Sequence, residues 1–466
     1  MSSKQHFNAV VIGSGQGGTP LAGAFAKAGK SVALIESTHI GGTCINEGCT
    51  PTKTMVASGR VAYLARRSQD YGVNLPSAPT IDMKKIRQRK RDIVDSFRGG
   101  SERRVQSSGI ELITGTAKFV DPHTVTISPS SPAEPEKTIS ADQFFINVGA
   151  RPTPLVLRGL ESVDRTRVLD STSILELDVV PSHLIVLGGG PIGLEFAQLF
   201  RRLGAAVTII QRGAQLIPRE DPDIAESMTE ILEEDGITIL LSTKATSIST
   251  SESSPIVLSV LSSDGNSHEL QGSHLLAAAG RVPNTDILAP KQRTNVPHIY
   301  ALGDVKGGPA FTHVSYDDFR ILAANLIDPG PGRAGREGMK RTTKDRLDCY
   351  VTYTDPQLGH VGLHEAEARK IHGDENVAVA KMPMAYVARA LECGESRGVM
   401  KAVVEKGGEG RGRILGFTCL GLEGGEVMAV VQMAMMGGVT WEGVQGAVFA
   451  HPSLSEGLNN LWGFLE

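Results

Sequence analysis

The chain of 466 residues carries Lys+Arg 47 against Asp+Glu 51, a net charge of −4 that is too near balance for a nucleic-acid or membrane-surface partner. Its 40% hydrophobic and 21% charged residues exclude a disordered chain, and at roughly 150 residues per domain its length predicts about three globular domains. Five cysteines are too few for a disulfide framework and no apolar run suits a signal core or membrane span, so the expected setting is cytoplasmic, with any disulfide there for chemistry.

The first elements alternate. Ala9–Ile12 reads as a strand, Leu21–Ala28 as a helix and Ser31–Ile35 as a strand, the order that builds a parallel sheet with crossover helices. Between the first two, Gly13-Ser-Gly15-Gln-Gly17-Gly18 spells G-x-G-x-x-G, and Glu36 ends the next strand. Glycines there give a tight turn, close backbone approach to a pyrophosphate and helix-to-strand packing. The helix N-terminus faces the phosphates and Glu36 takes a ribose hydroxyl.

Next comes Gly41-Gly42-Thr43-Cys44-Ile-Asn-Glu-Gly48-Cys49-Thr-Pro-Thr-Lys53. On an ideal helix two Cα atoms five residues apart are roughly 8.6 Å from each other. A disulfide spans at most ~6.8 Å. A bridge therefore requires an irregular turn, for which Gly41, Gly42 and Gly48 provide backbone freedom. A thiol at a helix N-terminus also has its thiolate favoured. Lys53, one turn after Cys49, projects on the same face.

Met83–Arg104 is basic and helix-like, and in an acidic chain it reads as a solvated helix face. Pro129–Glu136 reads as a hairpin loop between the β-like runs Thr124–Ile127 and Gln143–Val148. A second strand-glycine-helix-strand unit runs from Leu184 to Gln211, with Gly188-Gly-Gly190-Pro-Ile-Gly193 before the apolar helix Leu194–Leu203. Gly13 to Glu36 is 23 positions, and 188 + 23 is 211, so the ribose-reading slot holds Gln211 in the second copy, followed by Arg212 with Arg219 nearby. An acid there repels a 2′-phosphate, whereas a neutral residue beside arginines accepts one; NADPH is therefore expected in preference to NADH.

Ser-rich alternating strands follow from Ile237 to His268, and Gly330–Arg341 reads as a linker. Beyond it lie strands around Tyr350–Thr352, Val399–Val404 and Ile414–Leu420, then helices from Gly425 and Leu454. Cys349, Cys393 and Cys419 are isolated and read as inert buried thiols in β surroundings. Met428, Met433, Met435 and Met436 read as helix core; without polar co-ligands they make no metal site, and no metal is expected.

The segment GGTCINEGCTPTK, together with both fingerprints, resembles the class I pyridine nucleotide-disulfide oxidoreductases, which include glutathione reductase, dihydrolipoamide dehydrogenase and mercuric reductase. Ile146-Asn-Val-Gly149-Ala-Arg-Pro152 and Ala279-Gly280-Arg281-Val-Pro283-Asn284 are similar to the family's interdomain crossings, and Ile299-Tyr-Ala-Leu-Gly303-Asp304-Val305 to its flavin ribityl-binding strand. Tyr353-Thr-Asp355-Pro356 resembles the opening of its dimerisation domain, and His451-Pro452-Ser-Leu-Ser-Glu456 its His and carboxylate partner. Ala310-Phe-Thr-His313-Val-Ser-Tyr316 and the Glu392–Lys401 strand are most similar to the mercuric reductase branch.

The resemblance implies an α/β fold with two Rossmann-like domains plus a C-terminal α+β dimerisation domain. FAD would be bound by residues 1–152 and 281–340, NAD(P) by 153–280, and 345–466 would form a homodimer interface. It implies an enzyme in which NAD(P)H at Gly188, Gly190 and Gly193 reduces FAD held by Gly13, Gly15, Gly18, Glu36, Gly42, Thr43, Lys53, Gly149 and Asp304, with Gly280 also among the cofactor-binding residues. Electrons would pass to a Cys44–Cys49 disulfide, with Cys49 next to the flavin and Cys44 attacking a small disulfide or other oxidised thiol-reactive substrate. Lys53 would pair with Glu195 beside the flavin, and His451 of the second subunit, oriented by Glu456, would shuttle the proton.

Two other readings fit the same residues: a flavin-binding redox sensor without steady turnover, and dithiol oxidation of the dihydrolipoamide type. The chain ends Leu461-Trp-Gly-Phe-Leu-Glu466, without the vicinal cysteines of mercuric reductases, so Hg(II) reduction is not expected. Two further departures are Pro191, where some members carry a gatekeeping aromatic, and a Thr285–His298 connection shorter than the family's.

Overall fold

Val10, Val11 and Ile12 are buried in succession, as are Ala33, Leu34 and Ile35, a run that only a parallel sheet covered on both faces produces. The computed structural model describes residues 5–131, 133–250, 255–286, 296–327, 341–407 and 410–466. These form two compact units: Met1–Met55, Lys84–Thr153 and Arg281–Arg346 in one, Val56–Met83, Pro154–Gly280 and Leu347–Glu466 in the other.

In the first unit the parallel strands run in the order Glu111–Thr114, Val32–Glu36, Gln5–Ile12, Lys137–Ile146, and Ile299–Ala301 pairs with the last of these. Strand Thr124–Ser128 joins Lys137–Ile146 antiparallel across the expected hairpin. Helix Gly18–Lys27 follows the first strand and buries Leu21, Ala22 and Phe25 against the sheet side of Ala9, Val11 and Leu34. The short strands Ala150–Pro152 and Arg281–Pro283 pair antiparallel, so the two segments resembling crossings lie side by side.

The second unit repeats the plan. Parallel strands run in the order Thr238–Leu240, Ala206–Ile210, His183–Leu187, His274–Ala277 and Val168–Leu169, and helix Pro191–Leu203 follows the central one. A separate antiparallel sheet holds Thr243–Ser249, Ile256–Ser262 and Ser267–Gly272, the Ser-rich strands expected there. In both parallel sheets the fingerprint follows the carboxyl end of a central strand, where open α/β sheets bind ligands. The C-terminal block is a five-stranded antiparallel sheet, Cys349–Thr352, Gln357–Gly362, Ile414–Gly421, Val399–Glu405 and Val377–Pro383 in order, covered by helix Gly424–Met436. The α/β class with a C-terminal α+β block is thus observed.

Several expectations need correction. Met433 and Met436 are each 66% exposed, because helix Gly424–Met436 turns Val427, Met428 and Val431 to the sheet and those two outward. Helix Met83–Gln106 is mostly solvated, but Lys90 is only 3% exposed. Cys393 caps the short helix Ala388–Glu392 instead of lying in a strand, and the strand expected from Glu392 begins at Val399. The last helix starts at Gly457, three residues after Leu454. Residues 287–295 of the short connection and 328–340 of the linker lie outside the described residues. Among the described residues no helix is long and apolar enough to cross a membrane.

Candidate active site

Glu36 stands at the end of its strand with both carboxylate oxygens fixed. Oε2 accepts from the Ser14 amide at 3.0 Å and hydroxyl at 2.6 Å, and Oε1 accepts from the Thr38 amide at 2.9 Å. Its carboxylate is thereby held at the mouth of the first glycine turn, as an acceptor for a ribose hydroxyl. Gly18 sits so close under the turn that a Cβ there would lie 2.2 Å from the Gly13 oxygen.

Gly42 carries the contact that joins this turn to the cysteines. Its φ is +63°, and a Cβ would stand 2.6 Å from the Gly15 Cα. The redox segment is thus packed backbone to backbone on the phosphate turn. Gly42→Ala should cost about 1–2 kcal/mol from the left-handed backbone alone, and the clash displaces Gly15. Purified Gly42→Ala is expected to lose most of its flavin on desalting; full flavin content would contradict this contact.

The irregular turn that a disulfide needs is present. Helix Gly42–Asn46 ends at Glu47, whose φ of −141° leaves the helical region, and a new helix starts at Cys49 and runs to Arg66. In this structure both cysteines are free thiols, Cys44 half-buried and Cys49 exposed. They face each other: the hydrogen bond with Cys49 is the main cause that pushes the Cys44 thiol far up, followed by burial and the charge on Cys49, while Lys53 pulls it down. When one proton leaves the pair, Cys44 keeps the other. Cys49 opens an 18-residue helix, where the macrodipole favours an anion, and its sulfur lies 3.3 Å from the Thr312 hydroxyl.

Asp304 lies in the turn Gly303–Lys306, just past strand Ile299–Ala301. Burial pushes its carboxyl up, against Arg281 and Lys306. Its carboxylate accepts from its own backbone amide and is half-buried, with acceptor capacity left for a ligand hydroxyl. The glycine cradle, the fixed Glu36 and this carboxylate together fit a dinucleotide with a polyhydroxylated chain.

In the second unit, Gln211 Oε1 accepts from the Gly189 amide at 3.1 Å, and Nε2 donates to the Gln215 oxygen at 3.2 Å. Glu36 binds the Ser14 amide, the residue of the same rank in the first turn, so the 23-residue register is a geometric equivalence. Gly190 has open space where a Cβ would be, as close approach of a ligand requires, and Arg212 and Arg219 are exposed. Glu195, buried one turn into the helix, accepts from the Tyr353 amide at 2.9 Å. His451 Nδ1 lies 2.8 and 3.0 Å from the two Glu456 oxygens. That hydrogen bond, then the carboxylate's charge, raises the His451 pKa above that of a free histidine.

Four supporting residues were not singled out from sequence. Ser14 hydroxyl ties Glu36 to the Gly41 amide, which donates to it at 3.1 Å. Asn147, inside the quoted Ile146–Pro152 run, accepts from the Gly18 amide at 2.8 Å and donates to the Leu302 oxygen at 2.9 Å. Thr312 faces Cys49, and Asp318 accepts from the Gly303 amide at 2.8 Å while paired with Arg346 at 2.6 Å. Each is an ordinary polar residue whose partner is distant in sequence, so no local pattern marks it.

Residues 7–318 match the model of the pyridine nucleotide-disulphide oxidoreductases, and residues 349–461 match that of the dimerisation domain of the same name. The chain is 34% identical to the probable pyridine nucleotide-disulfide oxidoreductase RclA of Escherichia coli (strain K12), over 99% of each chain. It is 32% identical to a dihydrolipoyl dehydrogenase of Bacillus subtilis (strain 168), over 96% of each, and 30% identical to a mercuric reductase of Lysinibacillus sphaericus, over 98% of this chain and 82% of that one. Two solved structures superpose with a TM-score of 0.84 over 98% of this chain and 99% of theirs. They are the HOCl-induced flavoprotein disulfide reductase RclA from Escherichia coli, 33% identical, and its Cu(II) complex, 34% identical.

Proposed function

Since the chain belongs to the pyridine nucleotide-disulphide oxidoreductase family, an FAD-dependent flavoenzyme with its dimerisation domain, we propose that its working parts are Cys44 and Cys49 and that it reduces a small disulfide at the expense of NADPH. The observation that carries this reading is the facing pair itself, with Cys49 on a helix N-terminus and Gly42 seated on Gly15.

The residues then act in a defined order. Cys44 gives its proton to His451 of the second subunit and attacks the substrate disulfide as a thiolate, forming a mixed disulfide, and the released thiolate takes that proton back from the imidazolium. Glu456 orients that imidazole and favours its protonated form. Cys49, as thiolate, then attacks the Cys44 sulfur and closes the Cys44–Cys49 disulfide, releasing the second substrate thiolate, which takes a proton from solvent; two electrons have left the pair. FAD, held by the Gly13–Gly18 turn, Glu36 and Asp304, would supply the two electrons that reopen it. Of the remaining candidates, Lys53, Thr43 and Gly149 belong to the first unit and Glu195 and Gly280 to the second.

NADPH is the preferred reductant because Gln211 presents no charge to a 2′-phosphate and Arg212 and Arg219 stand exposed beside it. A kcat/KM ratio of about tenfold or more for NADPH over NADH is expected, about 1.4 kcal/mol of discrimination. A strong NADH preference would sink the assignment of Gln211, Arg212 and Arg219.

NADPH consumption against a panel of disulfides, lipoamide, quinones and dithiol natural products tests the function. Disulfide-dependent turnover is expected, and its absence throughout leaves the redox-sensor reading in possession. A second reading, reduction of Cu(II), draws on the Cu(II) complex solved for the Escherichia coli relative. Cu(II) belongs in the same panel.

A further inference from the structure

A second polar cluster lies in the second unit, beginning one residue after Arg219. Glu220 comes from the segment after strand Ala206–Ile210, His360 from strand Gln357–Gly362, and His364 from the residue before helix Glu365–His372. One ligand atom from each of the three lies within 4.8 Å of the others.

Two of these atoms are buried without a partner, Glu220 Oε2 and His364 Nδ1, and they stand 3.9 Å apart. His364 stands at the capping-box position of its helix, yet its Nδ1 has no hydrogen bond of ordinary geometry. Leaving a buried polar atom unpaired is costly, and here two such atoms lie side by side. The atoms behind them are held in place. Tyr350 hydroxyl donates to Glu220 Oε1 and sits 3.1 Å from His364 Nε2. His360 contacts the Thr418 hydroxyl at 2.8 Å and the Gly362 oxygen at 3.1 Å, and its ring stacks on that of His364 at 3.9 Å. With Tyr350 donating to Glu220, His364 Nε2 carries its own proton toward the Tyr350 oxygen, which leaves Nδ1 as a lone pair 3.9 Å from Oε2. Such hydrogen bonding behind the ligating atoms is what orients imidazole and carboxylate at metal centres.

We propose that Glu220, His364 and His360 form a binding site for a borderline divalent cation of the Zn(II) class. Two ligand atoms on a tetrahedral zinc lie about 3.4 Å apart, so the observed pair needs to close by about 0.5 Å. His360 joins as third ligand when one ring nitrogen gives up its present hydrogen bond, and water completes the shell. Such an ion ties the segment carrying Glu220 to the C-terminal sheet. Lys401 is the cation already lodged beside this cluster, but it is taken by Asp221, Asp223 and Glu365 at 2.7 to 3.0 Å and leaves Glu220 Oε2 unpartnered.

The test uses FAD-loaded Cys44→Ser/Cys49→Ser protein, so that the redox thiols do not compete, with Zn(II) added and the metal retained after gel filtration counted by mass spectrometry. About one equivalent per chain is expected, falling at least tenfold on adding Glu220→Gln or His364→Ala. No retained metal, or equal retention in those variants, overturns the proposal. Should the added substitutions prevent folding, the Cys44→Ser/Cys49→Ser protein still decides it. Co(II) should give visible bands of a nitrogen and oxygen site and Zn(II) should raise Tm; thiolate charge-transfer bands or an unmoved Tm refute the site.

Discussion

Cys44→Ser is expected to lower disulfide reduction by about 10⁴-fold or more while the protein stays folded and yellow. A serine hydroxyl forms no mixed disulfide, so the route from Cys49 to substrate is cut at its outer atom. Loss of the half-buried thiol leaves Gly42 on Gly15 and Glu36 on Ser14, so cofactor retention should be unchanged. Cys49 keeps its helix N-terminus and loses the neighbour with which it shares a proton, so it should ionise readily and add long-wavelength absorbance to the flavin spectrum. Turnover equal to that of the unsubstituted enzyme would refute the roles given to both cysteines.

His451→Ala should lower turnover by about 10²–10⁴-fold, the range for loss of a positioned proton donor. Glu456→Gln probes the same couple more gently. The hydrogen bond from Glu456 raises the His451 pKa, so the imidazolium persists to higher pH than in a free histidine. Without the carboxylate it is lost at lower pH, and the alkaline limb of the kcat/KM profile should move down the pH scale. A limb that stays in place in Glu456→Gln would remove His451 from the proton path, even if turnover fell. Because the histidine belongs to the second subunit in this account, mixing Cys44→Ser with His451→Ala chains should restore part of the activity in the heterodimer.

The parallel sheets were legible because both faces are buried, which writes continuous apolar runs such as Ala9–Ile12 and Leu184–Leu187 into the chain. The glycine turns were legible because at Gly13, Gly18, Gly188 and Gly193 the backbone leaves no space for a side chain, and the Glu36/Gln211 register follows from counting alone. Strands Gln357–Gly362 and Val377–Pro383 went unnoticed because glycine, histidine and alanine blur their alternation. The exposed Met433 and the buried Lys90 were misjudged for one reason: helix composition does not say which face meets a neighbour. Ser14, Asn147, Thr312 and Asp318 act on partners brought in by folding, as do Glu220 and His364, whose meeting depends on a contact 144 residues apart in sequence.

The most direct test of the central claim is a count of thiols. The air-oxidised holoenzyme, denatured and titrated, should show three of its five cysteines reactive, Cys349, Cys393 and Cys419. After anaerobic reduction with NADPH and quenching, all five should react, with the two new thiols mapped to Cys44 and Cys49. No increase on reduction, or new thiols at any other pair, would contradict the account.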